Sequence, residues 1–428
     1  MVSGEDFVSP AAAGIDPTDF DKLGERCARA PRNVFIRTVG LKEGCRKEWT
    51  NYYELPVEYT VESYQSLFSL DNDTLATRFM PENCPRRRFL VVDDKVDELY
   101  GERIRKYFDH FKVEWRIVVI PGEEENKRFA LVDKIFEELC DFGLHRREPI
   151  VAVGGGVVLD VVGFTASLYR RGVPYIRVPT TLLAIVDASV GVKTGVDYES
   201  KSKGPLKNRM GSFYAPCAAF LDKSFIATQD ERNIRNGLCE IMKLALVRSE
   251  ELFSLLEEHG ARIIAERFQG SDFVADRVIE LAIELMLEEL GPNLWEYKLE
   301  RCVDYGHSFS KILEMVAEPP IMHGEAVNVD GFFCVVLSHG RGLITSEVRD
   351  RVKNTMKSMQ LPTFHDGCTE DVMWKGLTDA VEHRHGKQRV PLITGVGSYT
   401  FANDISMKEI KEALAEFRDL RVDDKTQT

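Results

Sequence analysis

The 428-residue chain is 44% hydrophobic and 29% charged, with 56 Lys and Arg against 69 Asp and Glu, a formal net charge of −13. That length suits two domains and a sizeable core, and the acidic balance argues against nucleic acid or an anionic membrane as the main partner while leaving an anionic small substrate open. There is no apolar run long enough to span a bilayer, and the opening MVSGEDFVSP lacks the basic-then-apolar layout of a signal peptide, so a cytoplasmic protein with no membrane partner is expected.

Residues 1–50 read as an N-terminal extension, loosely held over 1–30. Val57–Phe68 alternates enough for a strand or hairpin, and Thr74–Arg88 reads as loop. Strands and helices then alternate. Arg88–Val92, Trp115–Ile120, Pro149–Val153 and Tyr175–Val178 read as strands. Val96–Phe111, Asn126–Phe142 and Val157–Arg170 read as helices between them. This order implies βαβ units on a parallel sheet.

After about residue 228 the pattern becomes helical. Helices are expected over Ile234–Arg248, Glu250–Gly260, Phe273–Leu290, Val303–Val316, Ala326–Gly340 and Ser346–Ser358. A last strand region covers Pro391–Phe401, and the final eight residues read as frayed. The nine cysteines (Cys27, Cys45, Cys84, Cys140, Cys217, Cys239, Cys302, Cys334, Cys368) form no CxxC pair, which favours free thiols in a reducing compartment.

Five segments bear chemistry. Gly154, Gly155 and Gly156 stand between a strand and a helix, where backbone N–H groups can receive a pyrophosphate. Leu159 occupies the third glycine position of the usual dinucleotide fingerprint, so a plain tight turn fits equally well. Asp160 lies in the first helical turn. Thr180 and Thr181, followed by Asp187 and Lys193, could bind ribose or phosphate or could simply cap a helix start. Glu240 and Lys243 share one face of an apolar helix. They are either an ion pair at the core's rim or a metal ligand beside a catalytic lysine. His307 and His323 with Glu240 would make a three-ligand site, the usual plan of a catalytic zinc, although isolated histidines are more often structural. His383, Arg384 and Lys387 form a basic run before the last strand that suits a phosphate or a solvated loop.

In this order these segments resemble the sugar phosphate cyclases, the family of 3-dehydroquinate synthase. The stretch GGGVVLDVVGFTASLYRRGVPYIRVPTTLLAIVDASVGVKTG is very similar to that family's core text. The likeness continues through NGLCEIMK, VDYGHSFS and MHGEAV and spans roughly residues 88–400. It implies an NAD-binding, Rossmann-like α/β domain over 51–228 with a parallel sheet, a mostly α-helical metal and substrate domain over 229–428, and an active site between them. It also implies a homodimer and a small-molecule sugar phosphate substrate.

Carried over by the resemblance, Glu240, His307 and His323 would hold zinc or cobalt. Asp93, Glu123, Lys127, Gly154, Gly155, Gly156, Asp160, Thr180 and Thr181 would bind NAD. Asp187, Lys193, Lys243, Asp304 and His383 are the catalytic candidates. Arg171, Lys207, Asn208, Lys311, Arg384 and Lys387 are the substrate and phosphate candidates. The family reaction oxidises a carbinol with NAD, eliminates phosphate, returns the hydride and closes a carbocycle by aldol addition.

Departures from the family pattern point to one branch. An ungapped count back from His307 puts Met286 and Glu300 where 3-dehydroquinate synthase holds its substrate carboxylate with Lys and Arg. A Glu there would repel a carboxylate. The family's Asn before the first metal histidine is Asp304, and its second histidine is Lys311. Asp304, His383 and Pro292–Trp295 resemble the valiolone-type branch, which acts on sedoheptulose 7-phosphate. The deoxygadusol-type branch, the 2-epi-valiolone branch, 3-dehydroquinate synthase itself and, from another class, a metal-dependent polyol dehydrogenase are the alternatives.

Overall fold

The computed structural model describes residues 34–39, 48–53, 56–81, 85–202 and 204–425. The chain divides into two compact units, Met1–Glu58 and Tyr59–Thr428. In the first, β1 (Val34–Val39) and β2 (Glu48–Tyr53) pair antiparallel, with Val34 opposite Tyr53. Both strands are rich in β-branched and aromatic residues, which favour the extended chain. The looseness expected over 1–30, and Cys27, Cys45 and Cys84, lie outside the described residues.

The second unit opens with β3 (Thr60–Ser63), the single helical turn α1 (Thr74–Thr77), β4 (Arg87–Asp93) and α2 (Asp94–His110). Next come β5 (Glu114–Ile120), α3 (Phe129–Phe142), β6 (Ile150–Gly154), α4 (Gly156–Leu168) and β7 (Tyr175–Pro179). A hairpin, β8 (Lys193–Ser200) and β9 (Gly204–Phe213), precedes β10 (Ala218–Leu221). The helical half holds α5 (Glu231–Arg248), α6 (Glu250–Ala265), α7 (Val274–Leu290), α8 (Ser310–Val316), α9 (His323–Gly340), α10 (Ser346–Ser358) and α11 (Glu370–His383). The hairpin β11 (Val390–Gly395) and β12 (Ser398–Ala402) and helix α12 (Met407–Lys425) close the chain.

Six strands form a parallel sheet in the order β3-β10-β7-β6-β4-β5. Its inner strands are continuous apolar runs because both faces are covered. Along β4, Phe89 and Val91 enter one core cluster, while Leu90 and Val92 enter the cluster on the opposite face. The chain runs from β4 outward to β5, then returns to place β6 on the other side of β4. That reversal makes a topological switch point between the carboxyl ends of β4 and β6, where open α/β sheets bind ligands.

The helical half is organised around α9, buried from Gly324 through Ser338. Its apolar residues point to every side, as in a core helix, Glu325, Asn328 and Asp330 are buried among them, and α9 shares one core with α5, α12 and β11. Several elements differ from expectation. The Thr74–Arg88 segment contains α1 and the start of β4. The β8–β9 hairpin, α11 and α12 were not foreseen, and the tail read as frayed is helical to Lys425. Val303–Val316 is not one helix: a 3-10 turn over Cys302–Asp304 and a loop precede α8.

Candidate active site

Helix α5 begins with Asp230, whose carboxylate accepts a hydrogen bond from the Asn233 N–H at 3.0 Å. It carries Glu240 on a buried face. The loop before α8 supplies His307, and the first residue of α9 is His323. One donor atom from each of Glu240, His307 and His323 lies within 4.8 Å of the others. Both histidines turn Nε2 toward the same Glu240 oxygen, at 3.7 Å from His307 and 3.4 Å from His323.

Two glycines allow this convergence. Gly306, at φ +73, has a left-handed backbone, and a Cβ there would stand 2.6 Å from the Val327 carbonyl oxygen. At Gly324 a Cβ would stand 2.0 Å from the Asn236 carbonyl oxygen, so only glycine lets α9 start this close to α5. The Asn236 side chain accepts the Gly324 N–H at 2.7 Å and fixes the junction. Asp330 accepts the N–H groups of Phe309 and Ser310 at 2.6 and 2.8 Å and anchors the loop that carries His307.

The donor set fits a catalytic metal: one carboxylate and two imidazoles, three protein ligands as in catalytic zinc sites that keep a fourth position for water or substrate. Each histidine keeps Nδ1 occupied, His307 against the Tyr305 carbonyl at 3.0 Å and His323 against Glu314 at 3.4 Å, leaving Nε2 for a cation. Neither Glu240 oxygen has a well-formed hydrogen bond, although both are sealed from solvent. Burial pushes His307 down to about 3. The same burial acts on His323, but Glu240 and Glu314 outweigh it and raise it to about 10. A metal cation would take the place of that proton between the two carboxylates.

Charge is dense around this centre. Lys243 Nζ lies 2.5 Å from Glu240, and both side chains are buried. Asp187 belongs to a π-helical turn, Ala184–Ala188, a distortion frequent at functional sites. Burial raises its carboxyl, Glu240 raises it further, and Lys243, Lys193 and His323 oppose them. Lys193 pairs with Glu296 at 2.8 Å, and Glu296 also meets Arg301. Burial works against the charge on Asp304, yet Arg301 at 2.6 Å and Arg384 at 3.4 Å hold its carboxyl below the ordinary range.

The nucleotide candidates gather at the carboxyl edge of the sheet. Asp93 ends β4 and caps α2, accepting the N–H groups of Lys95 at 2.9 Å and Val96 at 3.3 Å. Glu123 follows β5, and Gly154, Gly155 and Gly156 span the turn from β6 into α4. The Thr180 N–H donates to the Gly154 carbonyl, and the Thr181 hydroxyl accepts the Ala184 N–H at 3.2 Å. Lys127 is buried on Asp160 at 2.6 Å.

Comparison with known proteins decides the family. The model of the 3-dehydroquinate synthase N-terminal domain matches residues 117–236, and that of the C-terminal domain matches 237–382. The chain belongs to the 3-dehydroquinate synthase family. This member is 45% identical to the 2-epi-5-epi-valiolone synthase of an Actinoplanes species, over 88% of this chain and 95% of that one. It is 36% identical to the demethyl-4-deoxygadusol synthase of Trichormus variabilis, over 85% of this chain and 88% of the relative. ValA, a 2-epi-5-epi-valiolone synthase from Streptomyces hygroscopicus subsp. jinggangensis 5008 solved with NAD+ and Zn2+ bound, superimposes with a TM-score of 0.81. It is 42% identical, and the match covers 87% of this chain and 99% of ValA.

Not every candidate of this 3-dehydroquinate synthase family member reaches the centre. Arg171 is exposed between α4 and the amino end of β7, across the sheet from Thr180. Among the described residues it makes no side-chain hydrogen bond or ion pair. Arg384 is a buried strut, donating to Ser308, Gln388 and Arg389 as well as facing Asp304. His383 ends α11, 3.8 Å from Asp379, and Lys387 is exposed. Lys311 is open to solvent on one side, but burial lowers its ammonium and Asp379 and Asp304 oppose that, so it borders the Asp304 cluster. Asn208 is exposed on β9, and its N–H donates to Asp197. Met286 is core, and Glu300 is exposed, 3.9 Å from Arg389. Glu296, Arg301 and Glu314 were missed; only the nearness of Arg301 to Asp304 in the chain could have flagged one of them.

Proposed function

We propose that the protein is a phosphate-eliminating carbon–oxygen lyase that converts sedoheptulose 7-phosphate to 2-epi-5-epi-valiolone. The observation that carries this reading is the Glu240, His307 and His323 cluster set beside Lys243 and Asp187. Greater identity to the valiolone synthase than to the deoxygadusol synthase supports the branch.

When bound, NAD would supply hydride acceptance and return, and Zn2+ or Co2+ would supply polarisation of neighbouring substrate oxygens. The rest falls to this chain's side chains. Asp93, Glu123, Lys127, Asp160, Thr180 and Thr181 line the nucleotide crevice, with the three glycines letting a pyrophosphate approach the start of α4. Lys243 is buried, and its ammonium is kept charged by Glu240 and Asp187 against burial. A fixed cation in a dry site stabilises developing oxyanion charge. Lys193 is exposed and pairs with Glu296 at the rim, a cation placed to meet the substrate phosphate. Asp304, clamped by Arg301 and Arg384, presents a fixed acceptor for a substrate hydroxyl and orients the ring before closure.

Residues 51–228 form the NAD domain and 229–428 the metal and substrate domain in this reading, with the enzyme a homodimer. A cytoplasmic setting is supported by six described cysteines that stay unpaired. The reading is tested by supplying purified protein with NAD+, Co2+ and either sedoheptulose 7-phosphate or the keto-acid phosphate of 3-dehydroquinate synthase. NMR should identify 2-epi-5-epi-valiolone from the first and no product from the second. Turnover of the keto acid alone would overturn the assignment.

A further inference from the structure

Both metal-side histidines have Nδ1 occupied, but by different kinds of partner. His307 faces a backbone carbonyl, which no substitution removes. His323 faces the Glu314 carboxylate, on α8, at 3.4 Å. Glu314 is itself held: its other oxygen lies 2.5 Å from Lys207 Nζ on β9. Lys207 also reaches Glu124, in the 3-10 turn after β5, at 3.3 Å. Four residues from α9, α8, β9 and the β5 turn therefore form one continuous chain, His323–Glu314–Lys207–Glu124.

We propose that Glu314 is a positioning residue that aims His323 Nε2 at the metal, and that Lys207 acts by holding Glu314 in place. This rests on Glu240, His307 and His323 being the metal ligands. The physical reason is that a ligating imidazole must keep one nitrogen aimed at the cation. An acceptor on the other nitrogen fixes both the tautomer and the ring plane and makes the ligand more basic. The first histidine has this support built into its backbone. His323 sits at the first residue of a helix with a partly exposed ring, so its support must come from a side chain. Glu314 is the carboxylate in place to give it. Lys207, committed to two carboxylates, then has a structural task distinct from the phosphate contact its sequence position suggests.

The test is a Co2+ titration of chelator-dialysed protein, read by the cobalt visible absorption band as affinity and coordination geometry. Glu314→Ala should weaken Co2+ binding by about 10- to 100-fold and alter the band, the usual size of an outer-shell loss. Glu314→Gln, which keeps an oxygen acceptor, should lose less, and it carries the test if the alanine variant does not fold. Lys207→Met should lose less than Glu314→Ala, and the double variant should bind no more weakly than Glu314→Ala alone, because one residue acts through the other. Wild-type affinity and band in Glu314→Ala and Glu314→Gln would overturn the proposal, and additive losses would remove Lys207 from it. Failure of the metal reading looks different: wild type and Glu240→Gln would then bind Co2+ alike.

Discussion

Lys243 lies 2.5 Å from Glu240, one turn along α5, with both side chains sealed from solvent. Removing one partner of a buried pair leaves an uncompensated charge, which costs about 3–5 kcal/mol. Lys243→Met should therefore lower the melting temperature sharply in metal-free protein. Added Zn2+ should restore part of the loss, because the cation replaces the missing charge. A melt equal to wild type would show that the pair is not energetically important.

Asp304 is held by two guanidiniums, so its removal affects more than product choice. Asp304→Ala would take from buried Arg384 its facing carboxylate and from Arg301 one of two. Asp304→Asn keeps the shape and part of the hydrogen bonding, and is the better variant for reading specificity. Combined with His383→Thr it should shift the product from 2-epi-5-epi-valiolone toward the deoxygadusol type, as read by chromatography. An unchanged product would remove these positions as the determinants of outcome.

Asp330 gives a pH signature. Burial raises its carboxyl to about 6, against the hydrogen bonds from Phe309 and Ser310. The folded chain thus binds this proton more tightly than the unfolded chain does. Its stabilising contribution is complete below pH about 4 and lost as pH rises through about 6. Denaturant unfolding at stepped pH should show wild type losing stability over that window relative to Asp330→Asn, then running parallel to it above. Parallel curves throughout would contradict the shift.

Strands β4 to β7 were legible because they are apolar runs between helices, whereas the four-residue β10 of the same sheet was not read. The β8–β9 hairpin was not, since its strands are polar, partly exposed and interrupted by Gly195 and Gly211. Helix α12 did carry a signal: Ile410, Ala413, Leu414, Phe417 and Leu420 recur at helical spacing and are all buried. Glu240, His307 and His323 could be offered as one ligand set from the residues, but only the family resemblance chose that reading over structural histidines, since two isolated histidines and one glutamate have no diagnostic spacing. Glu314 was out of reach because its partner Lys207 is 107 residues away. A pair that exists only in the folded chain leaves no local pattern.

In the proposed reaction a transient oxidation serves an elimination. It is tested most directly by incubating the protein with sedoheptulose 7-phosphate, NAD+ and Zn2+ or Co2+ while following phosphate release and NADH absorbance together. Steady phosphate release without lasting NADH is expected, with loss of that release on chelation. NADH accumulating without phosphate would contradict it and move the protein to the polyol dehydrogenases.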